Sequence, residues 1–163
     1  MRTRYALVAL ALALTGCDSE DNPPPYMLEL DRLRAATDAF QDFNAAAPAG
    51  YAAEVINPAT GDSYFPMMGV HYLNPNLLDD HFDVEHPEIL IYLPHDDGHM
   101  ELVAVEYATP IADLDAPPPA PAGFTGTADA WSINEDFSLW TLHAWVWMDN
   151  PSGVFAPHNP DVP

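Results

Sequence analysis

"EILIYLPHDDGHMELVAVEYAT", residues 88–109, decides the fold. Two runs rich in branched and aromatic residues, 88–93 and 100–109, flank a polar turn with Asp97-Gly98 at its centre. Asp-Gly readily supplies the left-handed dihedrals a tight hairpin needs, and apolar runs of this length bounded by turn residues read as strands. An antiparallel hairpin therefore stands in mid-chain. Working toward the N-terminus, "MMGVHYLN" (67–74) and "YAAEVI" (51–56) read as two further strands, closed by Asn74-Pro75 and by the turn "NPATGD". Toward the C-terminus, residues 110–130 are proline-rich and irregular, "FSLWTLHAWVWM" (137–148) is a last strand, and a tail punctuated by proline and glycine follows.

Ahead of the strands lies "MLELDRLRAATDAFQDFNAAA" (27–47). Leu30, Leu33, Thr37, Phe40 and Phe43 recur close to a 3.6-residue period with charges between them, which predicts an amphipathic helix stopped by Pro48 and Gly50. No βαβ unit and no internal repeat is present. The expected fold is α+β: one N-terminal amphipathic helix packed on a curved antiparallel sheet of about four to five strands.

Charge narrows the function. The chain has 163 residues and a net charge of −21, from 25 acidic residues against four basic ones, all arginine. No lysine or arginine follows Arg34. Direct nucleic-acid binding is excluded, because nothing would neutralise phosphates, and contact with anionic lipid headgroups is unfavourable. Such self-repulsion is relieved by salt, so a saline setting or loosely held divalent cations are expected.

The N-terminus carries an address. Arg2 and Arg4 precede an uninterrupted apolar run, Tyr5 to Leu14, too short for a permanent membrane span. Leu14-Thr15-Gly16-Cys17 resembles the bacterial lipobox, and Cys17 is the only cysteine of the chain. That resemblance implies cleavage before Cys17, lipidation of Cys17, and a protein tethered to the membrane on its extracytoplasmic face, in the cell envelope. Losing Arg2 and Arg4 with the signal takes the net charge from −21 to about −23. The expected organisation is a signal peptide (1–16), an acidic proline-rich tether (17–26) and a single α+β domain (27–163). Asp18 resembles an inner-membrane retention signal.

Three ionisable residues interrupt apolar strands. Strand alternation puts Leu139, Thr141, His143, Trp145 and Trp147 on one face, and Trp140, Leu142, Ala144, Val146 and Met148 on the other, the better candidate for the helix-facing core. Leu102, Ala104 and Glu106 share a face in the same way, as do Gly69, His71 and Leu73. Two imidazoles and a carboxylate, His71, Glu106 and His143, are the donor set of an open divalent-metal site suited to zinc, iron or copper. Trp145, Trp147 and Tyr72 would line a neighbouring ligand surface. The residues lack HxH or HExxH spacing, so a second reading stays open, in which each makes a buried hydrogen bond, for example Glu106 to His71 or to a tyrosine. The function classes that follow are a small-ligand or metal-binding envelope module, a metal-dependent hydrolase or oxygenase using the same three residues, and an interaction protein docking through its tryptophans. Ser152 lacks a nucleophile-elbow pattern, and Asp96-Asp97-Gly98 lacks the spacing of a calcium loop.

The blocks "GVHYLNPNLLDD", "FDVEHPEILIY", "LVAVEY" and "LHAWVWMDNPSGVFAPHNP", in this order, resemble an uncharacterised family of exported bacterial proteins. The resemblance runs from the helix to the C-terminus and takes in His71, Glu106 and His143. It implies a domain extent and no activity. Relatives in that family often carry two cysteines that this chain lacks, so no disulfide is implied for it.

Overall fold

The computed structural model describes residues 23–126 and 129–163. The expected signal peptide, Cys17, Asp18 and most of the expected tether lie outside them. Two short α-helices, α1 (Pro25–Thr37) and α2 (Phe43–Ala46), are followed by seven strands: β1 (Ala53–Glu54), β2 (Tyr64–Phe65), β3 (Gly69–Leu73), β4 (Ile89–Pro94), β5 (Met100–Pro110), β6 (Ser132–Asn134) and β7 (Leu139–Ala144). All pair antiparallel in one open sheet of order β1-β3-β4-β5-β7-β6, with β2 pairing beside β1 on the outer edge of β3. The fold is α+β, as expected. The sheet has more strands than expected because β2 and β6 are two and three residues long, too short to leave a periodic signature.

The expected single helix is broken. In an uninterrupted α-helix Phe43 would lie about 140° around the axis from Leu30 and leave the apolar stripe. Instead α1 ends at Thr37, whose Oγ1 donates to the Leu33 carbonyl at 2.8 Å. A 3-10 turn covers Asp38–Gln41, and Asp42 caps α2 by accepting from Asn44 N at 3.1 Å. The break turns Phe43 inward, edge-on to Tyr72 and Tyr92 with centroids 5.1 and 5.0 Å away. Gly50, at φ 106°, closes a second 3-10 turn where proline and glycine predicted the stop. At the front, α1 starts at Pro25, whose fixed φ suits the first helical position, and Tyr26 already packs on Phe155.

The central hairpin forms as read, β4 against β5, with Gly98 at φ 85° in its turn. One side of the sheet packs on the helical segment: Leu30 and Leu33 meet Leu90, Tyr92, Leu102, Val105, Tyr107, Leu142 and Ala144. The other side carries a second cluster of Ile89, Ile91, Val103, Ala104, Ala108 and Trp145, which the C-terminal Val162 joins. A β-bulge interrupts the β4–β5 ladder. Ile91 pairs with Ala104 but Tyr92 pairs with Leu102, so Val103 is the extra residue. It corrects the alternation expected for β5. Ala104 and Glu106 keep their shared face, while Leu102 moves to the helix side and Val103 joins Ala104. The Val103 carbonyl, freed from the ladder, accepts from Trp147 N at 3.2 Å and Met148 N at 3.1 Å.

Those bonds draw the chain off the strand path. β7 ends at Ala144, four residues short of the expected Met148, and the alternation ends with it. Leu142, Ala144 and Val146 face the helix side as expected; Met148 packs instead on the second cluster, and Trp147 packs on the first.

Candidate functional site

Strand pairing places Glu106 directly opposite His143, and on its other flank opposite Ile89. His71 pairs with Ile91, so it sits one strand further out, diagonal to Glu106 across β4. All three side chains emerge on the face away from the helices. The bulge lies one pair beyond Ile91 and leaves this register undisturbed.

The three groups converge. His71 Nε2 lies 3.7 Å from Glu106 Oε2, and His143 Nε2 lies 3.8 Å from Glu106 Oε1. The imidazoles meet edge to face with centroids 6.1 Å apart. One donor atom from each residue falls within 4.8 Å of the other two. His71, Glu106 and His143 are 4%, 6% and 5% exposed, so water solvates none of them freely.

These separations exceed a hydrogen bond. They fall short of the roughly 4.1 Å spanned by two metal–donor bonds of about 2.0–2.1 Å, so a small ion can touch two donors at once with little movement. The Glu106–His71 hydrogen bond offered as the alternative is not formed at 3.7 Å. Neither imidazole bonds Glu106, and among the described residues His71 Nδ1 and His143 Nε2 are buried without any partner. Leaving such atoms unpaired costs about 1–3 kcal/mol each.

Electrostatics suit a cation. Burial pushes His71 down to about 4, against the opposing pull of Glu106, and pushes His143 down to about 3. Both rings are therefore neutral and carry a lone pair near neutral pH. Burial pushes the Glu106 carboxyl up; His71 and a hydrogen bond from Thr141, on the same face, pull it back down.

A cavity of about 610 Å³ opens over these groups. Residues 53–56, from the β1 edge of the sheet, and residues 132–137, from the β6 edge, both reach it, as do Pro157 and His158 of the tail. Leu73, Ile89, Leu139, Phe65 and Met68 line its walls.

The three residues expected to line a ligand surface do not line this cavity. Trp145 is buried, stacked on His143 with centroids 6.4 Å apart, and its Nε1 donates to the Ala156 carbonyl at 2.7 Å. Trp147 leaves the site for the helix side, where its Nε1 donates to Thr37 Oγ1 at 3.1 Å. Tyr72 alternates away from His71 and packs on Phe43 and Tyr92. Trp145 is buried against the tail, and Trp147 is half-buried against α1. Of the walls that do line the cavity, residues 53–56 fall in the segment read as a strand, of which only Ala53–Glu54 pair, and residues 132–136 fall outside every segment read as an element.

A second buried acid lies outside the cavity. Glu88 is 2% exposed at the start of β4. β5 runs on past the end of β4, and Glu88 Oε2 accepts the Ala108 N–H at 3.0 Å where the ladder has stopped. Burial pushes this carboxyl up to about 8. "HPEILIY" gives no hint of it, since an acid at a strand start reads as solvated.

Comparison with known protein families, with characterised proteins and with solved structures returns no match.

Proposed function

We propose that this protein is a lipid-anchored binding module of the bacterial envelope that holds a divalent metal ion through His71, Glu106 and His143. One observation carries the metal reading: the Nε2 atoms of two buried imidazoles stand 3.7 and 3.8 Å from one carboxylate, on one face, under a cavity, and that of His143 has no partner. Two neutral imidazoles and one carboxylate suit zinc and leave a coordination position toward the cavity. The same donor set also serves catalytic zinc and iron sites; binding is the simpler reading because the other acids at the cavity, Glu54, Glu135 and Asp136, are exposed at its rim. The anchor reading rests on the basic start, apolar run and Leu14-Thr15-Gly16-Cys17, and the resemblance to exported bacterial proteins agrees with it.

Elemental analysis of the full chain isolated from bacterial membranes tests the site. About one zinc-class ion per chain is expected, lost in Glu106→Gln and His143→Asn variants that still fold. Wild-type protein that stays metal-free and shows no thermal shift with added zinc overturns the reading. Cys17→Ser tests the anchor: the variant is expected to leave the membrane fraction, and unchanged fractionation overturns it.

A further inference from the structure

The cavity above the three polar residues has a selectivity of its own. Its walls are apolar: Leu73, Ile89, Leu139, Phe65, Met68 and Ile56. Its floor offers neutral ring nitrogens and one carboxyl group. Its rim is acidic, with Glu54, Glu135 and Asp136 exposed around the opening. No lysine or arginine lines it, and none occurs in the chain after Arg34. About 610 Å³ lies within the range of small-molecule sites and is several times the volume of a hydrated ion's immediate surroundings. A bare metal store needs no such room.

We infer that the cavity takes a small amphiphile with an apolar body and one uncharged or cationic polar end, and that it rejects anionic amphiphiles of the same shape. The apolar body replaces water along Leu73, Ile89 and Leu139, where burial yields about 25 cal/mol per Å². The polar end reaches the floor, where His71, Glu106, Thr141 and His143 line the cavity. A carboxylate or phosphate end meets no counter-charge on the walls, faces Glu106, and must pass the acidic rim. The inference rests on the proposed metal reading in one respect only: an ion held at the floor would take the place of the ring nitrogens as the polar end's contact.

A matched set of probes tests it on the full chain freed of metal by chelator: octanol, octylamine and octanoate, titrated by calorimetry at low salt. Octanol is expected to bind at one site, and octanoate at least about tenfold more weakly, with the gap narrowing at about 0.5 M salt as the rim is screened. Leu139→Trp, which fills the cavity from β7, is expected to abolish octanol binding; Ile133→Trp serves if that variant does not fold. Neutralising the rim with Glu135→Gln and Asp136→Asn is expected to restore octanoate. Octylamine, which the rim attracts, is expected to bind no more weakly than octanol. Equal binding of octanol and octanoate overturns the charge selection, and no binding by any probe overturns the cavity's role. Because metal content is measured separately, failure of the ion reading and failure of this one give different results.

Discussion

Glu88→Gln isolates the energy stored in one buried proton. The Glu88 carboxyl, ordinarily near 4.5, is pushed up to about 8 by burial. Between those values the native protein holds a proton that the unfolded chain has released. The contribution of Glu88 to stability is therefore complete below about pH 4.5 and is lost as the pH rises through about 8, at about 1.4 kcal/mol per pH unit. Summed over the window this is at most about 5 kcal/mol, an upper bound because the surroundings relax around a buried charge. Glutamine preserves the acceptor for the Ala108 N–H and never ionises. Urea unfolding followed by tryptophan fluorescence, at intervals from about pH 5 to 8, reads both proteins on one scale. The variant is expected to be flatter than wild type and the more stable of the two above about pH 7. Parallel profiles would refute the argument, since they would mean that Glu88 ionises in the native state at no cost.

Other outcomes follow from the same structure. His71 and His143 are pushed down to about 4 and about 3, so their share of stability is full above about 6.5 and lost as the pH falls through those values; His143→Leu is expected to flatten the acid limb of the unfolding profile, and an unchanged limb counts against its burial. Zinc uptake near neutral pH is expected to displace at most one proton, from Glu106, because both rings are already neutral; calorimetry in buffers of different ionisation heat that finds two or more contradicts this. Thr37→Val leaves Trp147 Nε1 without an acceptor and is expected to cost about 1–3 kcal/mol in urea unfolding; a cost near zero would show that this bond is replaced by water. With a net charge of −21, the melting temperature is expected to rise with added salt, and a flat response would sink the self-repulsion argument.

What the sequence made legible was whatever repeats at a fixed period. The β4–β5 hairpin follows from two apolar runs around Asp97-Gly98; that Glu106 and His143 share a face depends on the register of β5 on β7. The convergence of His71 with them depends on register across β4, which no local pattern encodes. Alternation failed at Val103, where a single extra residue shifts the faces, and after Ala144, where two N–H groups turn to the bulge carbonyl. Trp147 was misplaced for that reason. The helix was legible in its buried face but not in its break, since Phe40 and Phe43 keep a three-residue spacing that only a kinked path can bury together. β2 and β6 were invisible because two or three residues hold no period. Glu88 was missed because its partner is a backbone N–H some twenty residues away.

The brevity of the border strands has a colloidal consequence. β3's outer margin is shared by β1 and β2, two residues each, and the opposite border is the three-residue β6. A neighbouring copy seeking to extend the sheet finds only a few free backbone groups on either side, next to Glu54 on one and Glu135 and Asp136 on the other. Crowded copies of this chain should therefore repel rather than zip together, and the polymerising route open to many flat sheets is closed at both margins.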